Sequence, residues 1–185
     1  GRVRVPGVDP VIDAALDRAL AEAELCVIEV ELPSWGAAIR PTIQILYVEA
    51  DRNHGAMVDR EPELVGERTR DAIMLGRKLR PLEEDARRFQ RRLQAELAAA
   101  FDQAELLAWP TLAGFPPTLE DFAEIDALTR TGEVNLAGLP ALAQPVRTPG
   151  PLPASLQLAG PAGSEERLVA TGAVAAAAAG SPAAG

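Results

Sequence analysis

The sequence contains few of the residues that build metal centres, disulfide frameworks or membrane spans. It has one cysteine, Cys26, and one histidine, His54, which excludes an internal disulfide, a cysteine-based zinc knuckle and a His–His metal pair. No apolar run reaches the roughly 18 residues that a membrane span requires, and no signal peptide is recognisable. These absences predict a soluble, cytoplasmic protein with neither a metal site nor a membrane partner.

Positive charge and aromatic side chains are also scarce. The 185 residues carry 18 basic and 27 acidic side chains, a formal net charge of −9. Nucleic acids and anionic membranes bind clustered cations, so this balance argues against both as partners. Aromatic residues make up 4% of the chain, which leaves Leu, Val, Ile and Ala to build the core. The length allows one ordinary domain or two small ones.

Familiar catalytic motifs are missing as well. Serine occurs at Ser34, Ser155, Ser164 and Ser181, and none of them lies in a Gly-x-Ser-x-Gly or Ser-x-x-Lys motif. Ser34 and Ser164 precede predicted helices and are interpreted as N-caps. Ser155 lies in a predicted strand and is expected to face a backbone partner. No glycine-rich phosphate loop is present, so the residues themselves indicate no catalytic residue and no cofactor.

The other candidate bases and nucleophiles have structural explanations. His54 is interpreted as a surface or capping histidine, and Lys78, which has arginines close by in the sequence, as a solvated cation. Cys26 is expected to point inward from a strand as an inert core thiol. Glu83 and Glu84 each precede an arginine by four residues, which is typical of a solvated, ion-paired helix face.

Hydrophobic periodicity predicts alternating helices and strands, and therefore an α/β fold with a mixed sheet flanked by helices. The segment 34–60 is helix-compatible, with Ile39, Ile43 and Leu46 at apolar spacing. The other predicted elements are a helix over 10–23, a strand over 26–32, a helix that begins near Pro62, a helix over 82–104, a buried strand ending at Pro110, strands over 141–146 and 154–159, and a helix that begins after Ser164.

Three segments in the last third resemble the amidase signature family. Residues 109–111, Trp-Pro-Thr, resemble the strand-Pro-Thr segment of that family. Residues 131–145, TGEVNLAGLPALAQP, resemble its Thr-x-x-x-Asn-Leu-x-Gly-x-Pro-Ala-x-x-x-Pro segment, and residues 152–160 resemble the strand that follows. The sequence departs from the family at Ser155, where glycine is usual, and at Glu24, where a helix-ending glycine is common.

The resemblance implies the C-terminal portion of an amidase, incomplete as an isolated chain. The catalytic Lys–Ser–Ser residues of the family lie in an N-terminal half that is not in this sequence. Residues 1–172 are then the amidase-like portion, and residues 173–185 an Ala/Gly/Pro-rich tail that is expected to fray. Without that half, the strands are expected to leave Ile28, Val30, Leu156 and Leu158 uncovered.

The resemblance also implies the partners and the substrate contacts. The partners are the N-terminal half of the same enzyme and, through the full enzyme, a small amide substrate; a homo-oligomer is compatible with both. Thr111 and Thr131 are the candidate substrate-binding residues, because they follow strand ends or loops that approach the pocket in such enzymes. Gly138 is expected to turn the chain with a positive φ. The alternative is a non-catalytic, truncated amidase-like domain that acts as a partner subunit or has no activity.

Overall fold

In the computed structural model, helices pack on both faces of a mixed β-sheet. The structure describes residues 1–120 and 130–178. The helices are α1 (Pro10–Glu22), α2 (Ile39–Arg60), α3 (Glu67–Leu79), α4 (Glu83–Phe101), α5 (Gly132–Ala137) and α6 (Glu165–Ala178). The strands are β1 (Arg2–Val3), β2 (Glu29–Val30), β3 (Leu107–Pro110), β4 (Ala141–Val146) and β5 (Ala154–Ala159), and short 3₁₀ turns lie at Trp35–Ala37, Pro62–Leu64 and Arg80–Leu82.

The strands of the described residues form one sheet in the order β2-β1-β3-β5-β4. Strand β1 runs parallel to β2 and to β3, whereas β5 runs antiparallel to β3 and to β4. In the central pair, Trp109 lies opposite Gln157 and Pro110 opposite Leu156. The mixed sheet with helices on its faces confirms the predicted α/β fold.

Side chains of β3 alternate between two hydrophobic clusters, one on each face of the sheet. Leu107 and Trp109 pack in the cluster that contains Leu93 and Leu97 of α4. Ala108 packs on the opposite face, in a cluster that α1 and α6 cover. Strand β5 alternates in the same way, since Leu156 and Leu158 belong to the α1 and α6 side. Ser155 and Gln157 therefore lie on the face toward α4.

The expectation of a bare sheet face is wrong for three of its four residues. Val30, Leu156 and Leu158 are 5%, 0% and 2% exposed, and only Ile28 is open to solvent, at 40%. Helices α1 and α6 of this same chain bury the two leucines. The sheet therefore finds its cover within the chain on the side where the sequence predicted exposure.

The predicted strand 26–32 forms over two residues only. Strand β2 comprises Glu29 and Val30 and pairs with β1, which is itself two residues long. Alternation can specify a strand only where a neighbour offers backbone partners, and here that neighbour ends. Cys26 is consequently an exposed free thiol, so the prediction of a core cysteine is wrong.

Helix α2 confirms the helical segment, but its predicted apolar stripe is not the buried one. Ile39, Ile43 and Leu46 are 44%, 39% and 56% exposed. Ile45 and Val48, on another side of the helix, are buried at 6% and 0% exposure. The helix has apolar residues on both sides, and periodicity alone does not distinguish which side the fold covers.

Helix ends agree with the local signals. Asp9 caps α1 as predicted, because its side chain accepts a hydrogen bond from the Val11 N–H. Gly138 ends α5 with φ +74°, which confirms the expected left-handed turn. Glu24 has φ +53° just after α1, in the conformation that glycine adopts most easily.

Helix α6 continues to Ala178, six residues beyond the boundary expected at 172. Residues 179–185 of the predicted tail lie outside the described residues, and the division of the chain at 172 stays a prediction. Among the helices within 1–120 and 130–178, none has the length and apolar character needed to cross a membrane.

Candidate functional site

The candidate site begins at Thr111, directly after β3. Its backbone N–H donates to the carbonyl oxygen of Ser155 at 2.9 Å, and its Oγ1 lies 2.8 Å from Ser155 Oγ. Both residues are half-buried. The antiparallel pairing of β3 with β5 produces this contact, so the Ser155 side chain faces a hydroxyl and not the backbone partner that the sequence predicted.

The structure brings Thr131 close to Thr111 through the backbone of Arg130. The Arg130 N–H donates to the carbonyl oxygen of Thr111 at 2.9 Å. The Arg130 carbonyl in turn accepts hydrogen bonds from Trp109 Nε1 at 3.1 Å and from Gln157 Nε2 at 3.4 Å. Thr131 follows at the start of α5 and is half-buried, and its side chain makes no capping hydrogen bond. The two candidate substrate contacts therefore belong to one cluster.

Two tryptophans pack beneath this cluster. Trp35 and Trp109 are 3% and 0% exposed and meet edge to face, with ring centroids 4.6 Å apart and an interplanar angle of 72°. Trp109 carries the indole N–H that holds Arg130. The backbone that positions Thr131 is thus anchored to a rigid aromatic pair.

The serines that the sequence assigned to helix caps make different contacts. Ser34 donates its N–H and its hydroxyl to the Glu96 carboxylate at 2.9 and 2.6 Å, and makes no side-chain capping bond. Arg92 Nε donates to the Ser34 hydroxyl at 3.2 Å. Ser164 precedes α6 as predicted, but its buried hydroxyl has no partner within the described part of the chain.

Glu133 is a buried acid that the sequence analysis missed. It is 5% exposed, and its Oε2 has no hydrogen-bond partner among the described residues. Burial raises the pKa of Glu133, and the positive charge of Arg130 opposes this only in part. An acidic residue in the first turn of a helix is ordinary in a sequence, so nothing in the local pattern indicates that this one is enclosed.

We expect Glu133→Gln to stabilise the protein at neutral pH by about 1 kcal/mol, because it removes a buried charge that lacks a full set of partners. Since the folded state holds this proton where the unfolded chain has lost it, wild-type stability should fall as pH rises above about 4. The Glu133→Gln variant should lack that part of the decline. Urea unfolding at pH 5, 6.5 and 8 measures both effects.

The matched control is Glu31→Gln, since Glu31 is exposed and its substitution should change stability by less than about 0.5 kcal/mol at any of these pH values. Parallel stability–pH curves for wild type and Glu133→Gln would show that this carboxyl titrates normally.

The described residues offer hydroxyls and amides at the site but no activated nucleophile. His54 and Lys78 are exposed on α2 and α3, as predicted, and no hydrogen bond within the described ranges joins either to Ser155. No cluster of His, Cys, Asp and Glu suited to a metal ion occurs among residues 1–120 and 130–178. The arrangement can bind and orient a polar group by hydrogen bonds.

Sequence comparison decides the relationship. The profile of the Amidase family matches residues 5–169. The chain belongs to the amidase family. One of the subunits of the glutamyl-tRNA(Gln) amidotransferase of Thermus thermophilus is 33% identical to the amidase chain over 193 residues, which cover 89% of the chain and 40% of that protein. The resemblance found in the sequence is therefore confirmed.

Structure comparison gives the same fold. A crystal structure of an amidase superposes with a TM-score of 0.74 at 23% identity, over 95% of the amidase chain and 44% of its own. A bacterial aryl acylamidase of the amidase signature family superposes with a TM-score of 0.74 at 17% identity, over 96% and 43% of the two chains. The amidase chain thus spans less than half the length of these relatives.

Proposed function

We propose that the amidase chain is the C-terminal portion of an enzyme that hydrolyses a carboxamide C–N bond through a serine acyl-enzyme. The observation that supports this most strongly is the family match over residues 5–169, in a chain that covers only 40% of its curated relative. In such a reaction, a serine attacks the amide carbonyl and water then releases the acyl group. The proposal places the Lys–Ser–Ser residues in the portion of the enzyme outside this sequence.

In this proposal the amidase chain supplies one wall of the substrate site. The side chain of Thr131 makes no capping bond, and the hydroxyl of Thr111 retains hydrogen-bonding capacity beside Ser155. Both are suited to an amide substrate, which offers one carbonyl acceptor and N–H donors. The anchored backbone of Arg130 keeps the two threonines in fixed relation. A cytoplasmic location stays a prediction of the sequence.

We expect Thr111→Val and Thr131→Val, made in the enzyme that joins the chain to its upstream portion, each to lower kcat/KM about tenfold. One hydrogen bond to a substrate contributes about 1.4 kcal/mol in such a measurement. Thr69→Val is the control, because Thr69 is exposed on α3. Unchanged kcat/KM in both site variants, with all melting temperatures equal, would remove these threonines from the site.

The alternative is a non-catalytic subunit. The observation in its favour is that the curated relative is itself named as one of the subunits of an amidotransferase. The coding DNA upstream separates the two. An in-frame segment with a lysine and a Gly-Gly-Ser-Ser-Gly-like sequence supports the enzyme, and expression of the joined protein should then yield amide hydrolysis. An upstream sequence that lacks such a segment contradicts the enzyme and favours the subunit.

A further inference from the structure

Helix α2 carries apolar side chains on two opposite sides. At about 100° per residue, Ile39, Ile43 and Leu46 fall within roughly 60° of one another, with Val48 on the opposite side. Val48 is fully buried, at 0% exposure, whereas the three others are 44%, 39% and 56% exposed. We call Ile39, Ile43 and Leu46 the outer stripe of α2.

Helix α4 shows what a solvent-facing side looks like in this same chain. Opposite its buried Leu93 and Leu97 lie Glu84, Arg88 and Arg91, all of them exposed and all of them in ion pairs. A helix with one covered side normally has this charged opposite side, and a helix with apolar residues on both sides is normally covered on both. The outer stripe of α2 therefore has the composition of a contact surface.

The outer stripe begins beside the candidate site. A Cβ on Gly132 would lie 3.6 Å from Ile39 Cδ1 and 3.5 Å from Thr42 Cγ2. Gly132 follows Thr131 directly in α5. A polypeptide that covered the outer stripe would consequently also lie next to the candidate substrate contacts.

The length of the relatives indicates the occupant. The amidase chain covers 40% of its curated relative and 44% of an amidase of known structure, so more than half of each relative has no counterpart here. The two sheet faces already pack against α1 and α6 and against α4. The outer stripe remains an uncovered apolar surface that a further portion of the same fold can bury.

We propose that the outer stripe of α2 is the docking surface for the catalytic portion of the amidase, which brings that portion against Thr131. This inference rests on the proposed function for the identity of its partner. It predicts that the stripe is exposed in the 185-residue chain and buried in the joined protein. The same substitutions should then have different effects in the two forms.

The experiment compares two double variants in both forms. Ile43→Ser with Leu46→Ser changes the outer stripe, and Val169→Ser with Val174→Ser is the control, since these valines are 62% and 50% exposed on α6. In the chain alone, each pair should shift the Tm by less than about 3 °C. In the joined protein, the stripe pair should lower the Tm by about 5 °C or more and the control pair should not.

Each outcome separates the docking surface from the proposed function. Hydrolysis by the joined protein, with equal Tm shifts for the two pairs, would overturn the docking surface alone. A selective Tm loss in a joined protein that hydrolyses no amide would overturn the proposed function alone. If the chain alone sediments as a dimer and the stripe pair makes it monomeric, a second copy occupies the stripe, and the docking surface is overturned. An upstream sequence without an amidase portion overturns both.

Discussion

Replacement of Gly76 by alanine is expected to destabilise the protein by about 3 kcal/mol or more. A Cβ on Gly76 of α3 would overlap the carbonyl oxygen of Tyr47 in α2 and lie 2.6 Å from its carbonyl carbon. The obstacle is backbone, so relief requires the two helices to move apart and their packing to loosen. Helix propensity has the opposite sign, because alanine favours a helix interior over glycine by about 1 kcal/mol.

Urea unfolding of Gly76→Ala measures this effect, with Gly36→Ala as the control. Gly36 lies in a 3₁₀ turn, and a Cβ there would meet nothing within 4 Å, so the control should change stability by less than about 0.5 kcal/mol. A Gly76→Ala variant as stable as wild type, or more stable, would mean that α2 and α3 are not in this close contact.

The second large effect is expected at Asp51, where Asn should cost about 2 kcal/mol. The Asp51 side chain is 1% exposed and accepts hydrogen bonds from Arg77 Nε at 2.8 Å and from Arg80 Nε at 2.9 Å. Loss of one partner from a buried ion pair costs about 3–5 kcal/mol. The value here is lower, because Arg77 and Arg80 remain 31% and 60% exposed and can be solvated.

The contribution of Asp51 should depend on pH in a defined direction. Burial alone would raise the pKa of Asp51, but the hydrogen bonds from Arg77 and Arg80 outweigh it and hold that pKa below its usual range. The folded state then stays ionised at a pH where the unfolded chain takes up a proton. The stabilisation is present above pH of about 4 and is lost as pH falls through the folded pKa.

Unfolding of wild type and Asp51→Asn at pH 7, 5 and 3 tests both statements. The difference between them should be constant from pH 7 to 5 and smaller at pH 3. Asp85→Asn is the control, because Asp85 pairs with Arg88 on the surface, where both side chains are more than half exposed, and should cost less than about 0.5 kcal/mol. A cost for Asp51→Asn no larger than that of Asp85→Asn would contradict the buried ion pair.

Elements with strong local punctuation were predictable from the sequence. Strands β4 and β5 span the predicted 141–146 and 154–159, and α4 lies within the predicted 82–104. Prolines and glycines bound these segments, and each pattern refers only to neighbouring residues. The resemblance to the amidase signature family drew on this same region of the chain.

Burial that depends on a distant element was not predictable. The outer stripe of α2 has the pattern of a core face until it is known that Ile45 and Val48 on another side are the covered ones. Cys26 has the position of a core thiol until the pairing of β2 proves to stop at two residues. In both cases the local pattern is sound, and the identity of the neighbour decides the outcome.

The candidate site was predictable in its residues but not in its geometry. Thr111 and Thr131 came from the resemblance, and the structure joins them through Arg130. The hydroxyl contact between Thr111 and Ser155 depends on the register of β3 against β5, which no local pattern specifies. The enclosure of Glu133 likewise depends on tertiary packing that an acid in a first helical turn does not indicate.

The most direct test of the central claim is amide hydrolysis by the 185-residue chain alone and by the chain joined to its upstream portion. The account predicts no release of ammonia or aryl amine from small carboxamides and aryl amides by the chain alone, and turnover by the joined protein. Turnover by the chain alone that disappears in Ser155→Ala would contradict the account, because the nucleophile would then lie within these 185 residues.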